Sequence, residues 1–136
     1  MQQSVRVVIR ECNAVIRESL ATVVNLQPDM EVVAKAANTS EALAQCQLTK
    51  PDVVLMDLEM SKMDGIKAVA TIQETLPETS VIVLTTSDGD ELAAKGIKAG
   101  ARRSLLKDSA PQEVIDAIRL VHQWIIPNIV PGLIPE

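Results

Sequence analysis

Short apolar runs recur along the chain, each followed by a longer stretch in which apolar and polar residues mix at helical spacing. Val5 to Ile9, Met30 to Ala34, Val53 to Met56, Val81 to Leu84 and Ser104 to Leu106 read as strands, because brief, dense runs rich in β-branched residues suit a strand buried on both faces. Helices are expected from about Asn13 to Leu26, stopped near Pro28, and from a Thr39 or Ser40 cap to Thr49, with Glu41 in the first turn. A turn at Asp64-Gly65 precedes a third helix from Ile66 to Leu76, ended by Pro77. Asp88-Gly89-Asp90 opens a fourth that stops at Gly100, and Asp108 or Ser109 caps a fifth, with Pro111 in its first turn, running to Trp124. Strands alternating with helices predict βαβ units and a parallel α/β sheet. The domain is expected to span 1–124. Residues 125–136 carry Pro127, Pro131 and Pro135 among apolar residues, which disfavours a regular helix. They read as a linker or C-terminal tail, or else as an arm packing on a partner or bridging to an output domain.

Composition narrows the class. Of 136 residues, 47% are apolar, yet there is one Trp and no Tyr or Phe. The core must therefore be built from Val, Ile, Leu, Ala and Met, which suits parallel strands covered by helices. The formal net charge of −5 and the lack of a basic tract argue against direct nucleic-acid binding. Cys12 and Cys46 form no CxxC pair and are expected to be free thiols of a reducing cytoplasm. No apolar run is long enough for a membrane span, and the polar start at Met1-Gln2-Gln3-Ser4 does not resemble a signal peptide.

In an open parallel sheet, ligands bind beyond the carboxyl ends of the strands. Those ends carry Glu11 and Cys12 after the first strand, Asp57 after the third, Thr85 after the fourth and Lys107 after the fifth. Such a set has a chemical logic. Asp57 can attack phosphorus, Thr85 can hydrogen-bond a phosphoryl oxygen, and Lys107 can neutralise its charge.

With these residues in place, the chain resembles a response-regulator receiver domain over about Val5 to Trp124. The resemblance rests on Val5 to Ile9 with Arg17-Glu18-Ser19-Leu20, Pro51 through Gly65, Val81 through Thr86, and Leu105-Leu106-Lys107-Asp108. The segments PDVVLMDLEM and LLKD are closest to the NarL/FixJ type. The resemblance implies a flavodoxin-like (βα)5 three-layer sandwich with strand order 2-1-3-4-5. It implies a cytoplasmic two-component switch in which Asp57 accepts phosphate from a sensor histidine kinase, while Thr85 and Lys107 bind the phosphoryl group. It further implies Mg2+ on the acidic pair after the first strand, on Asp57 and on the backbone carbonyl of Glu59, with a homodimer and a C-terminal DNA-binding output domain outside these residues.

The chain departs from that pattern in five places. Glu11 is an acceptable first carboxylate, but Cys12 stands where the family has an aspartate that contacts Mg2+. A thiol is a poor ligand for so hard an ion, and with an ordinary pKa of about 8.5 it is mostly protonated at neutral pH. Arg10 replaces an apolar strand residue. Its guanidinium either enters the crevice, pairing with Glu11 or Asp57 and partly replacing the metal, or reaches out to solvent. Ser104 replaces the aromatic three residues before the lysine, Ser61 replaces a proline in the loop after Asp57, and Arg102-Arg103 precedes Ser104 unusually. His122 reads as a surface or capping residue, Met56, Met60 and Met63 as packing, Asp52 as a strand start, and Asp88 and Asp90 as helix-start caps and charges. Two functions follow: a phospho-accepting switch, or a receiver-like interaction or dimerisation module that runs without phosphate. An enzyme reading is weak, because no second aspartate follows Asp57 by two residues and Arg10 to Asn13 offers no glycine-rich phosphate loop.

Overall fold

The computed structural model describes residues 4–58, 62–86 and 89–129, without the side chains of 62, 63 and 124–129. Five strands alternate with five helices: β1 (Val5–Arg10), α1 (Ala14–Asn25), β2 (Met30–Ala36), α2 (Thr39–Thr49), β3 (Val53–Asp57), α3 (Lys62–Thr75), β4 (Ser80–Thr85), α4 (Asp90–Ala99), β5 (Arg103–Leu106) and α5 (Pro111–Ile129). The strands form one parallel sheet in the order β2-β1-β3-β4-β5, the architecture the sequence implied.

The continuous apolar runs split by strand alternation. Val7, Ile9, Val53, Leu55, Ile82 and Leu84 face the layer of α1 and α5, where they meet Val24, Ile115 and Ile118. Val8, Val54, Met56, Val81 and Val83 face α2, α3 and α4, meeting Cys46, Val69 and Ile72. Aliphatic side chains thus fill both layers, and the missing aromatics leave no gap in kind. Asp52 ties the entry of β3 to β1: its Oδ2 accepts from Arg6 N at 2.9 Å and its N–H donates to Arg6 O at 2.8 Å.

Several boundaries differ from expectation. Asn38, not Thr39 or Ser40, caps α2: its side chain accepts from Glu41 N at 2.9 Å, while Glu41 Oε1 accepts from Ala37 N at 3.1 Å. Asp64-Gly65 lies inside α3 rather than in a turn; the glycine serves packing, since a Cβ on Gly65 would lie 2.8 Å from Cδ2 of Leu58, the residue after β3. Helix α5 begins at Pro111, so neither Asp108 nor Ser109 caps it; Glu113 Oε1 accepts from Ala110 N instead. It also runs past Trp124 to Ile129, with Pro127 in its last turn, so the proline's missing N–H and its clash with the carbonyl four residues back fall where only two residues of helix follow.

Candidate functional site

The site is built where β1, β3, β4 and β5 end side by side. Arg10 lies opposite Met56, Asp57 opposite Leu84, and Thr85 opposite Leu106, so residues 10–12, 57, 85 and 107 come to one edge of the sheet. Glu11 and Asp57 are closed to solvent, and Thr85 is buried. Lys107 roofs the two carboxylates, with Nζ 3.1 Å from Glu11 Oε2 and 3.3 Å from Asp57 Oδ2. Its backbone is fixed by donation from N to Thr85 O at 2.7 Å. Burial alone pulls the ammonium pKa down, but the Glu11 hydrogen bond and the Asp57 charge outweigh it, and the net direction is up.

Arg10 enters the crevice. Two residues beyond Val8, it falls on the α2–α3 side of the sheet and is 2% exposed. Its Nη1 donates to the Asp57 carbonyl at 2.9 Å and lies 3.5 Å from Asp57 Oδ2. The alternative, a side chain reaching out to solvent, is excluded by that burial.

The loop after β1 holds Glu11 in place through contacts that the sequence did not signal. Asn13 N donates to Glu11 Oε2 at 3.1 Å, and the same residue's Oδ1 caps α1 by accepting from Ile16 N at 3.0 Å. Arg17, one turn into α1, donates from Nη1 to the Glu11 carbonyl at 2.6 Å. Arg17 belongs to a stretch that carries the family resemblance, but nothing in the sequence assigned it a contact with Glu11.

Glu11, Cys12 and Asp57 each offer a ligand atom, and these lie within 4.8 Å of one another. This is the acidic cluster that the resemblance implied for Mg2+, but its donors do not fit that ion. Cys12 Sγ lies 3.9 Å from Glu11 Oε2 and 3.8 Å from Asp57 Oδ2. Burial first, then the charges of Asp57 and Glu11, push its thiol pKa up, so it stays a neutral sulfur donor rather than a ligand. Glu11 Oε2 and Asp57 Oδ2 already face Lys107, and Arg10 stands against Asp57. Glu11 Oε1 is buried without a hydrogen-bond partner among the described residues, so an ion that binds through carboxylate oxygens and its own waters meets carboxylates that already face cations.

Other expected residues lie apart. Ser104 is exposed on β5 and does not join the cluster. Glu59, Met60 and Ser61 lie outside the described residues, as does Asp88. His122 is half-buried on α5. Cys46 is fully buried in the α2–α3 layer, and both cysteines are free thiols. No helix among the described residues is long and apolar enough to cross a membrane.

Comparison with known proteins agrees with this architecture. Residues 7–119 match the response regulator receiver domain family. The chain is 42% identical over 118 residues to the transcriptional regulatory protein YxjL of Bacillus subtilis, covering 87% of this chain and 54% of that protein. It is 38% identical over 119 residues to the oxygen regulatory protein NreC of Staphylococcus epidermidis, covering 87% and 55% respectively. The chain thus spans about half the length of the curated relatives it matches. Among solved structures, the signal receiver domain of the response regulator NarL from Mycobacterium tuberculosis superposes with a TM-score of 0.83 at 28% identity, over 89% of this chain and 98% of that one. The chain therefore belongs to the response regulator receiver family, among the receivers of NarL-type transcriptional regulators.

Proposed function

We propose that this receiver takes a phosphoryl group on Asp57 from a sensor histidine kinase and passes the change to a transcriptional output domain beyond these residues. The observation that carries this reading is the Asp57 carboxylate at the end of β3, closed under an ammonium 3.3 Å away. In the step, an Asp57 carboxylate oxygen attacks phosphorus. The P–N bond of the phosphohistidine breaks, its electron pair returns to the imidazole, which takes up a proton, and Asp57 becomes an acyl phosphate. Lys107, 16% exposed, swings from the carboxylates to the incoming phosphoryl oxygens, and Thr85 donates its hydroxyl to one of them. Residues 1–124 form the switch, with 125–136 leading to the output. The setting is cytoplasmic, the active form is a homodimer, and DNA contact belongs to the output domain.

One observation favours the phosphate-independent module: Arg10 and Lys107 already satisfy the charge of Asp57 and Glu11 in a closed pocket. Intact-mass analysis after incubation with a small acyl phosphodonor separates the two. A single phosphoryl adduct on the parent chain and none on Asp57→Asn supports the switch. A folded parent chain with no adduct selects the phosphate-independent module.

A further inference from the structure

Two carboxylates this close need counter-charge, since like charges at short range disfavour a doubly ionised pair. Here the counter-charge is part of the chain. Arg10 and Lys107 supply two formal positive charges against the two negative charges of Glu11 and Asp57. A guanidinium stays charged across the accessible pH range, so Arg10 supplies its share without drawing an ion from solution.

The two departures at the end of β1 act in the same direction. Against the pattern that the family resemblance implies, an aspartate at position 12 and an apolar residue at position 10, Cys12 carries one negative charge fewer and Arg10 one positive charge more. Together they shift the crevice by two positive units, the charge of one divalent ion. The position of the guanidinium matches that role. It is buried, it donates to the carbonyl oxygen of Asp57 at 2.9 Å, and it stands 3.5 Å from that residue's carboxylate. It therefore engages both a backbone oxygen and a carboxylate oxygen, the kinds of atom a hard cation would take.

We propose that the Arg10 guanidinium replaces the divalent cation of this crevice as a built-in counter-ion to Asp57, so that the chain does not take up Mg2+ at millimolar concentration. The inference deepens the reading of the same crevice as a phospho-acceptor site, but its test reads metal binding alone and succeeds or fails whether or not Asp57 is ever phosphorylated.

The test compares thermal unfolding, followed by circular dichroism, in EDTA and in about 10 mM Mg2+ at matched ionic strength. The parent chain is expected to show the same Tm in both. The variant Arg10→Gln with Cys12→Asp, which removes the guanidinium and restores the oxygen ligand, is expected to rise by about 3–5 °C with Mg2+ if its Kd is about 1 mM. Cys12→Asp alone, with Arg10 still in place, is expected to gain less than the double variant. A saturable Mg2+-dependent rise in the parent chain overturns the proposal, and so does a folded double variant indifferent to Mg2+. Should the double variant fail to fold without metal, Mn2+ titration of the parent chain decides. No selective broadening of the amide resonances of residues 10–12 and 57 supports the built-in counter-ion, and saturable broadening there overturns it.

Discussion

Arg10 and Asp57 form an ion pair closed to solvent, with Nη1 2.9 Å from the Asp57 carbonyl oxygen and 3.5 Å from Oδ2. Such a pair is not evidence of net stabilisation, because desolvating both charges offsets much of their attraction. Breaking it from one side is another matter, since removing Arg10 takes from the buried Asp57 one of the two cations that face it and leaves Lys107 alone at 3.3 Å. Arg10→Ala is expected to destabilise the domain by about 3–5 kcal/mol in urea unfolding. A double-mutant cycle with Asp57→Asn should show a coupling above about 1 kcal/mol. Additive losses would mean that the two side chains do not act as a pair.

Cys46 sets an alkaline limit on stability. Burial pushes its thiol from an ordinary 9.0 up to about 12, so the folded state holds the neutral thiol more tightly than the unfolded chain does. Its contribution is fully present below pH 9 and is lost as pH rises from 9 toward 12. Within that window the parent chain should lose up to about 1.4 kcal/mol per pH unit from this group. The Cys46→Ala variant, weaker at neutral pH, should show a shallower alkaline slope. Equal slopes in the two proteins would rule out a role for the thiol.

At the acid end, the Asp29–Arg119 pair ties the start of β2 to α5 through two bonds, Nε to Oδ2 at 3.0 Å and Nη2 to Oδ1 at 2.9 Å. The hydrogen bond from Arg119 holds the Asp29 carboxyl below its ordinary 3.8. The stabilisation is therefore present above that value and fades as pH falls through the lower folded value. Both side chains are 36% exposed, which screens the pair. Asp29→Asn is expected to cost a small fraction of what Arg10→Ala costs at pH 7, and nothing once the carboxyl is protonated. A loss that persists unchanged under strongly acidic conditions would contradict the ion-pair origin.

Gly100 ends α4 with φ +127°, and a Cβ there would collide with the Gln73 side chain of α3. Gly100→Ala should cost about 1–3 kcal/mol. Trimming Gln73 to Ala in the same chain should recover the steric part and leave the backbone part. Full recovery in that double variant would show that φ carries no strain.

The fold was legible because strands buried on both faces read as unbroken apolar runs, and because the helices between them end at proline or glycine. The site was legible at the strand ends, where Asp57 and Lys107 interrupt apolar pattern with charge. What sequence left open depended on contacts distant along the chain. Arg10 had two directions available to it, and only the approach of β3 to β1 selects the crevice. Gly65 carries a turn signal locally, yet its use is to let α3 lie against Leu58. Asn38 and Thr39 are both good caps by type, and the choice rests on the path of the chain leaving β2. Arg17 supports Glu11 through a backbone carbonyl, an acceptor every residue carries and no sequence pattern reveals.

The most direct measurement is reductive trapping. After exposure to a small acyl phosphodonor, borohydride converts an aspartyl phosphate to homoserine, which peptide mapping then locates. Phospho-acceptance at the end of β3 predicts homoserine at position 57 and nowhere else. An unmodified Asp57 in folded protein, or homoserine at any other position, would contradict it.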